Sequence, residues 1–173
     1  MDRPLRIAQV APPFEAVPPA GYGGTERIVH GLVVELVRRG HDVTTFASAD
    51  SNVPGRLIPT VPAALRPIGY TGDSLPYMHL TMTQVLARAS EFDLVHCHLE
   101  WASLLLARTS PVPVVTTFHG RLDLPWAADM LRDAPDGLVA ISRNQASTHP
   151  SVAWAGIVHN GLSLEDAPFE PER

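Results

Sequence analysis

The residues best suited to chemistry in this chain are small, polar or imidazole-bearing, and they recur in short clusters behind apolar runs. Gly21-Tyr22-Gly23-Gly24-Thr25-Glu26 comes just before an amphipathic stretch. Glycines at a helix start leave backbone N–H groups and the helix dipole free to meet a phosphate, and the missing Cβ lets it come close. His96-Cys97-His98-Leu99-Glu100, Phe118-His119-Gly120-Arg121, Ser142-Arg143-Asn144 and His159-Asn160-Gly161 each follow a further apolar run. On a strand, His96 and His98 share a face while Cys97 points away. Two imidazoles without a clear third ligand read as a rim or buried pair rather than a zinc site. Ser142 lacks the Gly-x-Ser-x-Gly turn that exposes a nucleophile. A dinucleotide fingerprint would need a third glycine where Glu26 stands. Its ribose carboxylate would fall to Asp50, a few residues past the strand.

These clusters need elements to hold them. Residues 5–10 form an apolar run closed by Ala11-Pro12-Pro13, which predicts a buried first strand and then a loop. Thr25 reads as an N-cap, followed by Ile28, Val29, Leu32, Val33, Leu36 and Val37 at helical spacing, with Arg38-Arg39-Gly40 as the C-terminal signal. Residues 42–47 are rich in strand formers. The stretch 48–75 is rich in Pro and Gly and carries one candidate strand at 57–61. Beyond it the pattern predicts helix 76–89, strand 94–96, helix 101–107, strand 114–117, helix 126–131, strand 138–141, helix 143–148 and strand 156–158. Alternating apolar strands and helices mean βαβ units: an α/β, Rossmann-like domain with a mostly parallel sheet and helices on both faces. Ligands of such sheets sit outside the carboxyl ends of the strands, where every cluster above falls.

Composition narrows the field. A chain of 173 residues with 45% hydrophobic and 18% charged content fits one globular domain. A net charge of −5 disfavours a nucleic-acid partner. All 13 basic residues are Arg, which excludes a P-loop lysine, a Schiff-base lysine and a kinase-type ATP lysine. A single cysteine, Cys97, fits a reducing compartment. With neither a membrane-length apolar run nor a secretory leader pattern, the expectation is a cytoplasmic protein. After Gly161 the composition turns to that of a linker, so we expect a domain over 1–162 and an interdomain linker over 163–173, with a second domain absent. The residues alone leave three readings open: half of an enzyme, a stand-alone module binding a sugar or phosphate ligand, and a nicotinamide-dinucleotide domain disfavoured by the glycine spacing.

Several segments, in order and spacing, resemble the family 4 (GT-B fold, retaining) glycosyltransferases. They are Gly23-Gly24-Thr25-Glu26-Arg27, Arg39-Gly40-His41-Asp42-Val43 and Phe92-Asp93-Leu94-Val95-His96-Cys97-His98. Val114-Val115-Thr116-Thr117-Phe118-His119-Gly120, Val139-Ala140-Ile141-Ser142 and Val158-His159-Asn160-Gly161 complete the set. The resemblance covers nearly the whole chain and matches the N-terminal, acceptor-side domain of such enzymes. It implies a hexosyltransferase-type reaction that moves a sugar from a nucleotide-diphosphate-sugar to an acceptor, without a cofactor or bound metal. By the same resemblance His119 sits beside the transferred sugar, Gly23 and Gly24 approach the donor diphosphate, and Tyr22, His98 and Arg121 line the acceptor side. Arg143 would meet an anionic acceptor. Asn160-Gly161 would turn the chain into the interdomain linker. The family's nucleotide pocket and diphosphate-neutralising cations belong to a second, C-terminal donor-binding domain, for which the resemblance leaves room as a separate chain. The isolated chain is therefore expected to be inactive or incomplete.

Overall fold

A computed structural model describes residues 3–161. The expected linker, 163–173, lies outside the described residues. Seven strands, β1 Arg6–Val10, β2 Asp42–Ser48, β3 Arg56–Val61, β4 Leu94–Cys97, β5 Val114–Phe118, β6 Leu138–Ala140 and β7 Gly156–Ile157, form one parallel sheet. Its order is β3-β2-β1-β4-β5-β6-β7, so the direction of winding reverses between β1 and β4. That switch point opens a crevice at the carboxyl ends of the two strands. The α/β, Rossmann-like expectation holds. Across β1 and β4 the register pairs Gln9 with His96.

Five α-helices connect the strands: α1 Gly24–Arg38, α2 Leu75–Leu86, α3 Ala102–Thr109, α4 Ala127–Leu131 and α5 Arg143–Ser147. The helix expected over 76–89 ends three residues early and continues as a 3-10 turn at Ala89–Glu91. One correction concerns the start of α1. Gly23, not Thr25, is its N-cap, with φ +140° and no capping side chain, and Thr25 lies inside the first turn. A Cβ on Gly23 would stand 2.7 Å from Pro19 Cβ, so both its backbone angle and the packed loop require glycine there.

The strands alternate their side chains between two faces. One face buries Ala8, Val10, Phe46, Val95 and Cys97 against Met82 and Val85 of α2 and Leu106 of α3. The same face continues through Phe118 and Leu138 to Leu104 of α3 and Leu131 of α4. On the opposite face α1 packs Val29 and Val33 on Ala11, Val43 and Ala47. From β1 to β6 that face carries Gln9, His96, His98, Val115, Thr117 and Val139, and a cavity separates α1 from His96, Val115, Thr117 and Val139. Gln9, His98 and Thr117 are buried on that face, and they persist there because they hydrogen-bond to one another and to His96 and His119.

Candidate functional site

The crevice is built from three rim loops. The β1–α1 loop brings Tyr22, which is 79% exposed and lies under the Arg66 guanidinium at 4.8 Å from its ring centre. Arg66 also pairs with the buried Glu15 at 2.7 Å, and the 65–66 backbone donates to the carbonyls of Pro13 and Phe14. The Pro/Gly-rich segment thus braces the glycine loop from behind. It contributes no residue to either cavity described below.

The β4–α3 loop turns at Glu100, whose φ of 51° is a left-handed conformation uncommon outside glycine. Glu100 Oε1 accepts the backbone N–H groups of both His119 (3.0 Å) and Gly120 (3.1 Å), which ties this loop to the β5–α4 loop. Gln145, at the start of α5, ties it from the other side. Its Nε2 donates to the carbonyls of Phe118 and Gly120 at 3.1 and 2.7 Å. The position of His119 is therefore set by two side chains from outside its own loop. Burial pushes the Glu100 carboxyl up, against those two N–H bonds, and its Oε2 has no partner among the described residues.

Behind His119 a chain of polar groups runs across one face of the sheet. His119 Nε2 lies 2.9 Å from His98 Nδ1, and His98 Nε2 lies 3.0 Å from Gln9 Oε1. Gln9 Nε2 lies 3.3 Å from His96 Nδ1, and His96 Nε2 lies 2.8 Å from Thr117 Oγ1. The His96 and His98 rings stand 4.1 Å apart. Burial pushes His96 and His119 down to about 4, with the neighbouring His119 adding to the shift at His96. Burial, then His96 and His119, hold His98 well below the ordinary imidazole value. All three rings are neutral at neutral pH. Cys97 faces the other way, where it accepts from Ser103 Oγ, and burial pushes its thiol up to about 11. Among the described residues no group of three His, Cys, Asp or Glu is placed to hold a metal.

Two cavities meet at His119. The first, about 750 Å³, lies between α1 and the uncovered sheet face, bordered by Ile28, Leu32, His96, Thr117, Val158 and Asn160 among others. The second, about 480 Å³, joins Tyr22 of the glycine loop and Thr25 in the first turn of α1 to Glu100, Gly120 and Arg121. The structure thus brings Tyr22, His119 and Arg121 into one cavity wall, with Gly23 and Gly24 between two of its lining residues. A Cβ built on Gly24 would meet nothing within 4 Å, so the space beside the α1 N-terminus is open. Arg121 is bound to Asp123 at 2.8 Å. His98, expected on the acceptor side, is 0% exposed and borders neither cavity; its Nδ1 meets His119 Nε2 instead. Arg143 stands exposed and borders neither cavity. Asn160 and Gly161, expected only to turn the chain, line the first cavity. Sequence reasoning passed over Gln9, and it placed Glu100 and Thr25 in the rim clusters without giving either a role at the site. A lone amide inside the apolar first strand was the signal available for Gln9.

A seven-stranded parallel sheet with helices on both faces is the α/β arrangement of GT-B glycosyltransferase domains. The profile of Glycosyltransferase Family 4 matches residues 22–165, and the chain belongs to that family. Similar solved structures include AviGT4, a glycosyltransferase involved in avilamycin A biosynthesis. It is 22% identical, with a TM-score of 0.60, over 95% of this chain and 44% of that one. A glycosyltransferase from Rickettsia africae ESF-5 is 20% identical, with a TM-score of 0.57, over 99% of this chain and 48% of that one. The chain spans less than half the length of either. No curated protein matches it. Among the described residues no helix is long and apolar enough to cross a membrane.

Proposed function

We propose that this chain is the N-terminal, acceptor-side half of a retaining, hexosyltransferase-type glycosyltransferase that moves a sugar from a nucleotide-diphosphate-sugar to an acceptor. The observation that carries this reading is the shared cavity in which the α1 glycine loop and His119 face one another. A diphosphate at the open Gly24 end of α1 would meet backbone N–H groups and the positive end of a 15-residue helix. A sugar attached to it would then reach His119, whose neutral ring can exchange a hydrogen bond with a hydroxyl. Tyr22 and Arg121 border the same cavity and would bound the acceptor. Arg143 would act only on an acceptor large enough to extend beyond that cavity. The chain has no Lys, and Arg121 is already engaged by Asp123. Neutralising a departing nucleoside diphosphate is the main electrostatic task of such a reaction. A second, donor-binding half, in the same or another polypeptide, would supply that charge. No cofactor or metal enters this scheme, and the reaction belongs in the cytoplasm, where nucleotide sugars are made available to a reducing-compartment enzyme with one buried thiol.

The test is titration calorimetry with UDP-, GDP- and ADP-sugars, paired with amide chemical shifts. Binding should be weak or undetectable by heat and indifferent to the base. At millimolar ligand the shifts should cluster at Gly23, Gly24 and His119. Tight, base-selective binding by this chain would sink the half-site reading.

A further inference from the structure

A neutral imidazole carries one N–H and one lone pair, so neighbouring rings in a hydrogen-bonded chain dictate one another's tautomers. Gln9 sits fully buried on β1, where it touches two rings at once. Its Oε1 is an acceptor only, so the 3.0 Å contact puts a proton on His98 Nε2 and leaves Nδ1 as a lone pair. The 2.9 Å contact then needs a proton on His119 Nε2, which leaves His119 Nδ1 bare. On the other arm the Gln9 amide donates to His96 Nδ1, and His96 donates from Nε2 to Thr117. The amide orientation gives the oxygen the shorter of its two contacts, 3.0 against 3.3 Å. Turning the amide over would invert every donor and acceptor along both arms. Of the six ring nitrogens, five are partnered among the described residues, and the sixth is His119 Nδ1.

We propose that Gln9 is a positioning residue that, acting through His98, holds the His119 proton on Nε2 and leaves Nδ1, closed off from solvent in this structure, as the one free acceptor of the ring. This rests on the reading of His119 as a reaction-centre residue. A buried nitrogen without a partner is costly unless something occupies it during function, and a hydroxyl donor is the group that fits a lone pair. An amide is suited to this task because it alone presents a fixed acceptor to one ring and a fixed donor to the other.

The test reads tautomers directly, by long-range ¹H–¹⁵N correlation on the full chain with ¹⁵N-labelled histidine at neutral pH. In the unsubstituted chain His98 and His119 should both carry the proton on Nε2. Gln9→Glu presents acceptors to both neighbours. His98 and His119 should keep their state while His96 gains a proton on Nδ1. Gln9→Met keeps the volume and removes both bonds, and His119 should then show both tautomers. A His119 proton on Nδ1 in the unsubstituted chain, or an unchanged single tautomer in a folded Gln9→Met chain, overturns the proposal. Should Gln9→Met fail to fold, the unsubstituted and Gln9→Glu spectra still decide it. None of these readouts depends on sugar transfer. A confirmed tautomer beside unchanged transfer in His119→Ala would reject the reaction-centre reading and leave the relay standing.

Discussion

His119 is held from three directions, by Glu100 through its backbone N–H, by His98 through its ring and by Gln145 through the flanking carbonyls. With the donor-binding half supplied, His119→Ala should lower turnover by about ten-fold to a few hundred-fold, the scale of one or two lost transition-state hydrogen bonds. The same change orphans a buried His98 nitrogen, so we expect the melting temperature to fall by a few degrees rather than stay level. A large stability loss with full turnover in the folded fraction would make His119 a scaffold residue. The buried rings also set a pH dependence. His96 and His119 titrate near 4 when folded against 6.5 as the reference value. Between those values the unfolded chain binds more protons, so this stability is complete above about 6.5 and is lost as pH falls toward about 4. Glu100 and Glu26, both pushed up by burial, act with the opposite sign, but two carboxyls stand against three imidazoles. Urea midpoints should therefore drop clearly between pH 7 and pH 5. A level profile would mean the rings are not buried neutral.

At the scale of the element, α1 separates two glycines that look alike in sequence. Gly23 sits at φ +140° with Pro19 2.7 Å from any added Cβ, whereas Gly24 faces open space with ordinary backbone angles. Gly23→Ala should destabilise the chain by more than about 1 kcal/mol, since strain and collision act together. Gly24→Ala should leave stability unchanged or raise it by up to about 1 kcal/mol through helix propensity. It should nevertheless weaken any diphosphate-dependent shift at the α1 N-terminus, because the methyl occupies the approach. Thermal melts of both variants beside pyrophosphate titrations check the pair. Equal destabilisation by both would remove the argument that Gly24 is kept open for a ligand. Burial pushes the first-turn Glu26 carboxyl up, which lessens its competition with an anion at that helix end.

At the scale of the whole molecule, the sheet is covered unequally. Helices α2, α3 and α4 pack one face, while α1 alone shields the β1–β2 side of the other. Val34 on α1 and Val158 beyond β7, the latter 60% exposed, border the cavity left between them. Under the proposed half-enzyme reading, this face and the rim beside it are where a donor-binding half would pack. The isolated chain should accordingly bind an apolar fluorescent dye. Val34→Ser with Val158→Ser should cut that signal several-fold, with stability shifting within about 0.5 kcal/mol per exposed site. Undiminished dye binding would place the exposed apolar surface elsewhere, the Ile68–Leu80 region being the alternative.

The sequence by itself determined the order and type of nearly every element. Apolar strand runs, a 3.6-residue stripe in α1 and Gly/Pro punctuation are local signals, and the parallel α/β class follows from their alternation. It also determined which loops lie at the binding edge, since all strands of such a sheet end on one side. Tertiary structure alone decided what each cluster residue does there. His98 and His119 stand 21 positions apart and Gln9 a further 89 back, yet the β1–β4–β5 adjacency places all three in one hydrogen-bonded line. Glu100 reads as an ordinary acidic loop residue until the fold sets it under two N–H groups of another loop. The N-cap moved from Thr25 to Gly23 because Pro19 and the packed loop, not side-chain capping, hold the entry to α1. Spacing along a chain reports which face a residue takes. Which neighbour it meets on that face depends on strand order, and strand order is settled by long-range packing.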